Sequence, residues 1–300
     1  MPVHGVLLLD KPAGLSSNDA LVRAKRLLNA AKAGHTGTLD PFATGLLPLC
    51  FGEATKFAQD LLEADKTYET VVRLGVRTST GDTEGEPIAV REDLSGITRE
   101  RVEAVLQSFR GAIEQVPPMH SALKRDGKPL YEYARAGLTV ERAPRRVVIH
   151  RLDLLELGGC HLRLRVTCSK GTYIRVLGED IGQALGCGAH LQALRRTGVG
   201  NLSLAGAVTL EQLDGLPEAE RTEALAPVDA LLSTFPALTL PDNLAQRLLQ
   251  GQRLALGREG LALPAQGRVR LYRAGDGVLL GTGQLKEGAV LAPERLVAAV

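Results

Sequence analysis

The segment from His161 to Ser169 restricts the possible fold most strongly, because its apolar and polar residues alternate. Every second residue is apolar and would face one side of a strand: Leu162, Leu164, Val166 and Cys168. This period of two is typical of a strand with one buried and one exposed face. Tyr68 to Leu74 shows the same pattern. Half-exposed strands are characteristic of antiparallel sheets, so the sequence predicts a mainly antiparallel sheet rather than a doubly wound parallel one.

Helical patterns alternate with these strands along the chain. The polar cluster Ser16–Asp19 is a helix start signal, and Thr98 is a candidate cap for a helix over Val102–Phe109. The spacing of apolar residues also predicts helices over Arg175–Ala184 and near Ala189–Arg196. The fold class is therefore predicted to be α+β, with a mixed, mainly antiparallel sheet core flanked by helices.

The pattern of apolar residues and glycines along the sequence changes near Phe235 and Pro236. Beyond this point come short apolar runs broken by glycine: Val269–Tyr272, Val278–Leu280 and Leu296–Val300. Such short, closely spaced runs indicate a small β-rich unit. We therefore expect two domains, a larger one over residues 1–232 and a small β-barrel-like one over residues 233–300.

Composition excludes several classes of protein. The chain has 300 residues, of which 44% are hydrophobic and 23% charged, as in ordinary globular proteins. We find no pattern of a signal peptide and no apolar stretch near the roughly 20 residues that span a bilayer. The four cysteines form no CxxC pair, which argues against a zinc knuckle or a disulfide framework. A cytoplasmic protein without membrane contact is expected.

Charge is distributed unevenly although the net charge is only +2. Residues 120–175 contain 12 Lys or Arg against 5 Asp or Glu, a net of +7. Residues 81–114 contain 4 Arg against 8 Asp or Glu, a net of −4. The residues alone leave two interpretations open, a basic groove for phosphates or a set of solvated strand faces.

The segment Gly34–Pro48 is a loop rich in Gly, Thr and Pro that contains Asp40 followed by Pro41. A proline biases the preceding residue toward extended or turn backbone. The loop can therefore hold the Asp40 carboxylate at a fixed angle, but an Asp-Pro turn without any chemistry has the same pattern.

The whole loop resembles the catalytic motif of the TruB family, the bacterial tRNA pseudouridine-55 synthases. It matches every fixed position of the family pattern G-H-x-G-x-L-D-P-x-A-x-G-x-L-P. Other segments resemble further blocks of the family in the same order: Gly5–Ser17, Ser121–Lys124, Leu130–Arg135, Cys168–Arg175 and Ala189–Arg196. The resemblance implies the pseudouridine synthase fold and an RNA-uridine isomerase. Gly267–Tyr272 and Gly277–Gly283 more weakly resemble a PUA domain, a small β-barrel that binds RNA.

The resemblance also implies roles for three residues. Pseudouridine formation breaks the C1′–N1 bond of uridine and joins C5 to C1′, so it requires no cofactor or metal. Asp40 matches the family nucleophile. Whether it attacks C1′, attacks C6 or draws a proton toward a glycal stays open. Arg175 matches the arginine that pairs with this carboxylate, and we expect it to bind bidentately and to keep the pKa low. Tyr68 matches an active-site tyrosine, for which stacking on the uracil is the simpler role.

The implied substrate is tRNA, whose T-loop uridine 55 must flip into a pocket. His35 matches a histidine that fills part of the vacated space in the T-loop, and Leu194 matches an apolar wall of the pocket. We expect further substrate contacts from Tyr173 and phosphate contacts from a basic set: Lys11, Lys170, Arg195 and Arg196. The C-terminal domain is expected to contact the acceptor end. The protein is expected to act as a monomer without an obligate protein partner.

Three alternatives remain at this stage. A glycosidase or nucleoside hydrolase would need two carboxylates, and we find no acidic partner of Asp40 in the matched motifs. An RNA chaperone would bind tRNA in the same groove without using Asp40. The third alternative is an enzyme of the same reaction that acts at a guide-RNA-dependent site, although the motif blocks match the stand-alone bacterial type.

Overall fold

A computed structural model describes residues 2–297 of the protein. The strands, in chain order, are β1 (Gly5–Lys11), β2 (Ala33–His35), β3 (Thr44–Phe51), β4 (Lys66–Leu74), β5 (Val76–Thr78), β6 (Pro87–Val90), β7 (Gly111–Gln115), β8 (Lys124–Arg125), β9 (Lys128–Pro129), β10 (Arg145–Gly158), β11 (His161–Cys168), β12 (Ala189–Val199), β13 (Leu202–Ser203), β14 (Ala237–Leu240), β15 (Leu254–Ala255), β16 (Gly267–Arg273), β17 (Leu279–Lys286) and β18 (Val290–Leu296). The α-helices are α1 (Ser17–Leu27), α2 (Ala58–Leu62), α3 (Arg99–Ser108), α4 (Leu130–Arg135), α5 (Ile174–Ala184), α6 (Leu210–Gly215) and α7 (Asp242–Leu249). Within residues 2–297, no helix is both long and apolar enough to cross a membrane.

A large mixed sheet forms the centre of the protein. Its main strand order is β1-β3-β12-β4-β11-β10-β7, and β2 and β13 pair at its side with β3 and β12. All of its pairs are antiparallel except β3 with β12. The strands β4 and β11 have the alternating burial predicted from their sequences. The predicted α+β class with a mainly antiparallel sheet is confirmed.

The helices that flank this sheet begin where their capping residues predict. The side chain of Ser16 accepts a hydrogen bond from Asp19 N at the start of α1, and Thr98 accepts one from Arg101 N at α3. Each such cap satisfies a backbone N–H group that has no partner within the helix. Helix α5 packs Leu177 and Ile181 into the main core.

The prediction of a helix near Ala189–Arg196 is wrong, because this segment is the central strand β12. The pairing of β12 with β4 shifts between Leu191 and Ala193, which is a β-bulge. A bulge adds one residue to one strand and turns the next side chains over. Leu191 and Leu194 are therefore both buried although they are three residues apart. That spacing also occurs on one face of a helix.

The chain beyond Phe235 forms a second, five-stranded sheet with the order β14-β16-β17-β18-β15 and a core of its own. Arg268 on β16 forms ion pairs with Glu294 and with Asp60 of α2, so this sheet is tied to the larger part of the protein. The predicted run Leu296–Val300 begins at the end of β18, and its last three residues lie outside the described residues. The domain boundary at residues 232 and 233 stays a prediction.

Candidate active site

The Asp40 loop connects β2 to β3, and a buried serine of α1, Ser17, holds the backbone of the loop at Leu39. Ser17 Oγ donates to Leu39 O at 3.0 Å and accepts from Leu39 N at 2.8 Å. The backbone on the other side of Asp40 is fixed as well, because Pro41 O accepts a bond from Gly14 N at 2.8 Å. Both neighbours of Asp40 are therefore anchored, and the direction of its carboxylate is set by the backbone.

Arg175, in the first turn of α5, binds this carboxylate and is only 4% exposed. Its Nε donates to Asp40 Oδ2 at 2.9 Å. Its two terminal nitrogens donate elsewhere, Nη1 to Thr80 O at 3.0 Å and Nη2 to His120 O at 2.6 Å. The predicted contact exists, but the expectation of a bidentate pair is wrong. The two terminal nitrogens instead connect the guanidinium to two separate loops.

Asp82 is a second carboxylate beside Arg175 that the sequence analysis missed. It is buried, and its Oδ2 lies 3.5 Å from Arg175 Nε. Its Oδ1 accepts bonds from Thr80 Oγ1 and from Glu84 N, which hold it in place. Asp82 lies outside the matched motifs, in which no acidic partner of Asp40 was expected, and it reaches the site through Arg175. No residue pattern distinguishes Asp82 from the other acidic residues of its segment. The described residues contain no group of three or more His, Cys, Asp or Glu side chains placed to hold a metal ion.

The pKa of Asp40 is raised above the ordinary value, which contradicts the expectation of a low pKa. Burial of the carboxyl is the largest cause. The charge of Arg175 acts against it, and the neighbouring Asp82 acts with it. Removing water disfavours the charged form of a carboxyl group, and one arginine shared by two carboxylates offsets this only in part.

A cavity of about 410 Å³ opens above Asp40 and Arg175. Its walls include three residues that the resemblance assigned to substrate contact: Tyr68, Tyr173 and Leu194. Tyr68 lies on the buried face of β4, and burial raises the pKa of its hydroxyl. A neutral tyrosine ring with an apolar leucine in the same cavity provides flat and apolar surface for a base. The structure brings these residues together with Asp40, as predicted, while their roles stay predictions.

His35 lies in an adjoining cavity of about 430 Å³, which also reaches Asp40 and Arg175. The N-terminal end of α1 and His120 line the same space. Burial lowers the pKa of His35, and the charge of Arg196 acts in the same direction. Its ring is therefore neutral at neutral pH. His35 Nδ1 is buried without a hydrogen-bond partner in the described part of the chain.

Lys11 and Arg196 are buried, so their prediction as phosphate contacts is wrong for this structure. Lys11 Nζ donates to Pro12 O and Leu15 O at 2.8 Å and to Pro41 O at 3.3 Å. Arg196 Nε donates to Leu46 O at 2.8 Å, and its Nη2 donates to Gly37 O at 3.2 Å. Lys11 thus holds loop carbonyls, and Arg196 connects the Asp40 loop to strand β3; the sequence could not show that these two cations point inward.

Lys170 and Arg195 are partly exposed, as a phosphate contact requires. Lys170 forms an ion pair with Glu63, and Arg195 binds Asp10 at 2.6 Å. Lys170 follows Ser169, which lines the cavity above Asp40. Exposed ion pairs contribute little to stability and exchange readily for other partners. These two residues remain candidates for contact with RNA.

Comparison with known proteins agrees with this geometry. Residues 25–174 match the N-terminal domain model of the TruB family pseudouridylate synthases. Residues 175–233 match the tRNA pseudouridylate synthase B C-terminal domain, and residues 236–297 match the C-terminal domain of pseudouridine synthase II TruB.

Whole-chain relatives support the same assignment. The chain is 64% identical to tRNA pseudouridine synthase B of Ralstonia pickettii, over 98% of this chain and 94% of that protein. It is 65% identical to the Burkholderia mallei protein of the same name, over 98% and 97%. The chain is also similar to the crystal structure of a Cbf5–Nop10–Gar1 complex, with 28% identity, a TM-score of 0.73 and coverage of 98% of this chain and 84% of that chain. This protein belongs to the TruB family of pseudouridylate synthases.

Proposed function

We propose that this protein is a tRNA pseudouridine synthase that isomerises the T-loop uridine at position 55, with Asp40 as its nucleophile. The observation that carries the proposal is the Asp40–Arg175 pair at the base of a cavity lined by Tyr68, Tyr173 and Leu194. The relatives in Ralstonia and Burkholderia bear the name tRNA pseudouridine synthase B, which supports tRNA as the substrate.

The reaction needs an ionised carboxylate held at one angle. The glycosidic bond from C1′ to N1 breaks, the uracil turns, and C5 bonds to C1′; the proton leaves C5 and a proton is gained at N1. A carboxylate nucleophile divides this into two easier steps. Arg175 orients Asp40 and favours its charged form against the effect of burial. Trapping experiments distinguish three first steps: attack of Asp40 at C1′, attack at C6, and abstraction of a proton toward a glycal.

The cavity suits a flipped base. Extrusion of a nucleotide costs a few kcal/mol, which stacking and apolar contact in the pocket must offset. We assign stacking on the uracil to the Tyr68 ring, because its raised pKa keeps the hydroxyl neutral and a poor base. Leu194 and Tyr173 would complete the walls. His35, neutral in the adjoining cavity, would stack where the uridine left the T-loop.

The T-arm would lie along the mouth of these two cavities. Helix α1 begins at the adjoining cavity and exposes Arg23, Lys25 and Arg26. Lys170 and Arg195 offer further positive charge, and the C-terminal sheet is proposed to contact the acceptor end. Phosphate contacts of this kind position an RNA without reading its sequence. We place the enzyme in the cytoplasm, where bacterial tRNA is found, acting as a monomer without an obligate protein partner.

Incubation with unmodified tRNA followed by mapping of pseudouridine tests the proposal. We expect modification at position 55 alone, and modification elsewhere would contradict the T-loop assignment. Release of free uracil would support a hydrolase instead.

The Asp40→Asn variant separates catalysis from binding. It keeps the volume of the side chain and removes the nucleophile, so isomerisation should be lost while tRNA affinity stays within a few fold. Isomerisation by this variant would refute the nucleophile assignment. A wild type that binds and folds tRNA without forming pseudouridine would support the chaperone alternative.

A further inference from the structure

Ser121 has a buried hydroxyl for which residues 2–297 supply no hydrogen bond. The residue is 6% exposed, and its Oγ has no partner in the described part of the chain. Burial raises the pKa of the Tyr173 hydroxyl, and the nearby Ser121 hydroxyl offsets this in part, but the two groups do not have hydrogen-bonding geometry. An unsatisfied buried hydroxyl is unfavourable, so native proteins retain such groups mainly where they have a function.

The position of this hydroxyl relates it to the reaction. Ser121 lines both the cavity above Asp40 and the adjoining cavity that contains His35. In the first cavity it shares the walls with Tyr68, Tyr173 and Leu194, which surround the proposed uracil site. A group bound there would meet the Ser121 hydroxyl as one of few uncommitted polar atoms.

The backbone around Ser121 is held in place on both sides. Ser121 N donates to Met119 O at 2.9 Å, and Ser121 O accepts a bond from Tyr131 N at 3.1 Å. The preceding carbonyl, His120 O, accepts the 2.6 Å bond from Arg175. The same arginine that orients Asp40 thus fixes the loop that carries Ser121. A polar group fixed in this way contacts a ligand without further loss of backbone freedom.

We propose that Ser121 Oγ hydrogen-bonds an edge carbonyl of the flipped uracil and retains such a bond when the base turns. The proposal rests on the proposed function. Pseudouridine formation exchanges N1 and C5 of the ring, which is equivalent to a half-turn about the line through N3 and C6. This turn also exchanges O2 and O4. A hydroxyl that donates to one carbonyl before the turn finds the other in the same place afterwards, and it can rotate to accept from N3–H in between.

The first test compares two buried serines. In Ser121→Ala no hydrogen bond among residues 2–297 is lost, so the midpoint of thermal unfolding should be unchanged or higher, whereas the single-turnover rate should fall about three- to ten-fold. Affinity for tRNA should change little, because phosphate contacts dominate it. The control Ser17→Ala loses both bonds to Leu39 and should unfold at a lower temperature. A Ser121→Ala protein with wild-type rate, or one as destabilised as the control, would overturn the proposal.

The second test detects the contact itself. Two tRNA substrates carry 2-thiouridine or 4-thiouridine at the target position, and sulfur accepts hydrogen bonds poorly. We expect one of the two substrates to react more slowly than uridine with the wild type. With Ser121→Ala, the same substrate should react no more slowly than uridine does. Such coupling is expected of a direct contact. If both substrates slow both proteins equally, Ser121 does not touch the base. Failure of the wild type to modify tRNA would refute the proposed function itself, whereas the Ser121 comparisons are made only on an active wild type.

Discussion

Replacement of Lys11 by methionine tests the finding that this cation supports the active-site loop and does not contact RNA. The side chain is fully buried, and its ammonium group donates to three carbonyls, of which Pro41 O is next to Asp40. Methionine has a similar length and is also unbranched, so it fills the space without a charge or a donor. The variant therefore isolates the hydrogen bonds from the packing.

The magnitude follows from two opposing effects. Three buried carbonyls would lose their donor, at roughly 2 kcal/mol each, or about 6 kcal/mol together. Burial lowers the pKa of Lys11 to about 8. Since a tenfold change in an equilibrium constant is about 1.4 kcal/mol, holding the charged form in this site costs roughly 3 kcal/mol, which the variant recovers. We therefore expect Lys11→Met to lower the free energy of unfolding by about 3 kcal/mol near pH 7.

The lowered pKa of Lys11 also predicts how the difference in free energy of unfolding between the wild type and Lys11→Met changes with pH. Between the folded pKa of about 8 and the ordinary value of 10.5, the unfolded chain binds the proton that the folded protein has released. The stability of the wild type therefore rises with pH in this window relative to the variant. The difference in free energy should grow by roughly 1.3 kcal/mol from pH 7 to pH 9. Lys66 has a similarly lowered pKa but is present in both proteins, so it cancels.

Urea unfolding at several pH values measures this difference, and tRNA binding at several salt concentrations tests the alternative. A lysine that neutralises a phosphate contributes about one unit to the slope of log affinity against log salt. We expect the slope to be the same for the wild type and Lys11→Met. A slope reduced by about one, together with unchanged stability, would refute the buried role and restore the phosphate contact.

Three further predictions concern the same site. Asp82→Asn removes one of two carboxylates beside Arg175, so the single-turnover rate should fall roughly 10- to 100-fold with unchanged tRNA affinity; a wild-type rate would mean that Asp82 does not position the arginine. Gly45→Ala should lower the free energy of unfolding in urea by about 2–4 kcal/mol, because Gly45 has a φ of +100° and an added Cβ would lie 2.3 Å from Arg196 O. The rate of the wild type should decline on acidification at a pH above that of an ordinary aspartate, because Asp40 must be ionised and its pKa is raised; a decline only near pH 4 would contradict this.

The sequence predicted the elements whose signals are local. The caps at Ser16 and Thr98 and the alternating strands β4 and β11 are set by neighbouring residues, and they form as predicted. The contact of Asp40 with Arg175 was also predicted, but from the resemblance of two motifs 135 residues apart. Spacing alone could not have paired them, because their distance depends on how the whole sheet is ordered.

Other features depended on partners that a linear pattern does not contain. Because of the bulge in β12, buried apolar residues of this strand have the spacing that is typical of a helix. Only the pairing of β12 with β4 shows that the segment is a strand. Asp82 became part of the site because Thr80 and Glu84 hold it beside Arg175. A buried acidic residue and an exposed one have the same letter in the sequence.

The misassigned cations share a physical cause that bears on how the site works. A Gly- and Pro-rich loop cannot satisfy its own carbonyls as a helix or sheet does, and buried carbonyls need donors. Lys and Arg carry several donors each on a long side chain, so one of them can satisfy a whole turn of irregular backbone. Lys11 and Arg175 each donate to at least two loop carbonyls, and Arg196 donates to one in the Asp40 loop, Gly37 O, and to Leu46 O of β3. The buried basic residues of this RNA-modifying enzyme therefore fix the geometry of its active-site loops, a purpose distinct from the RNA contact proposed for the exposed ones.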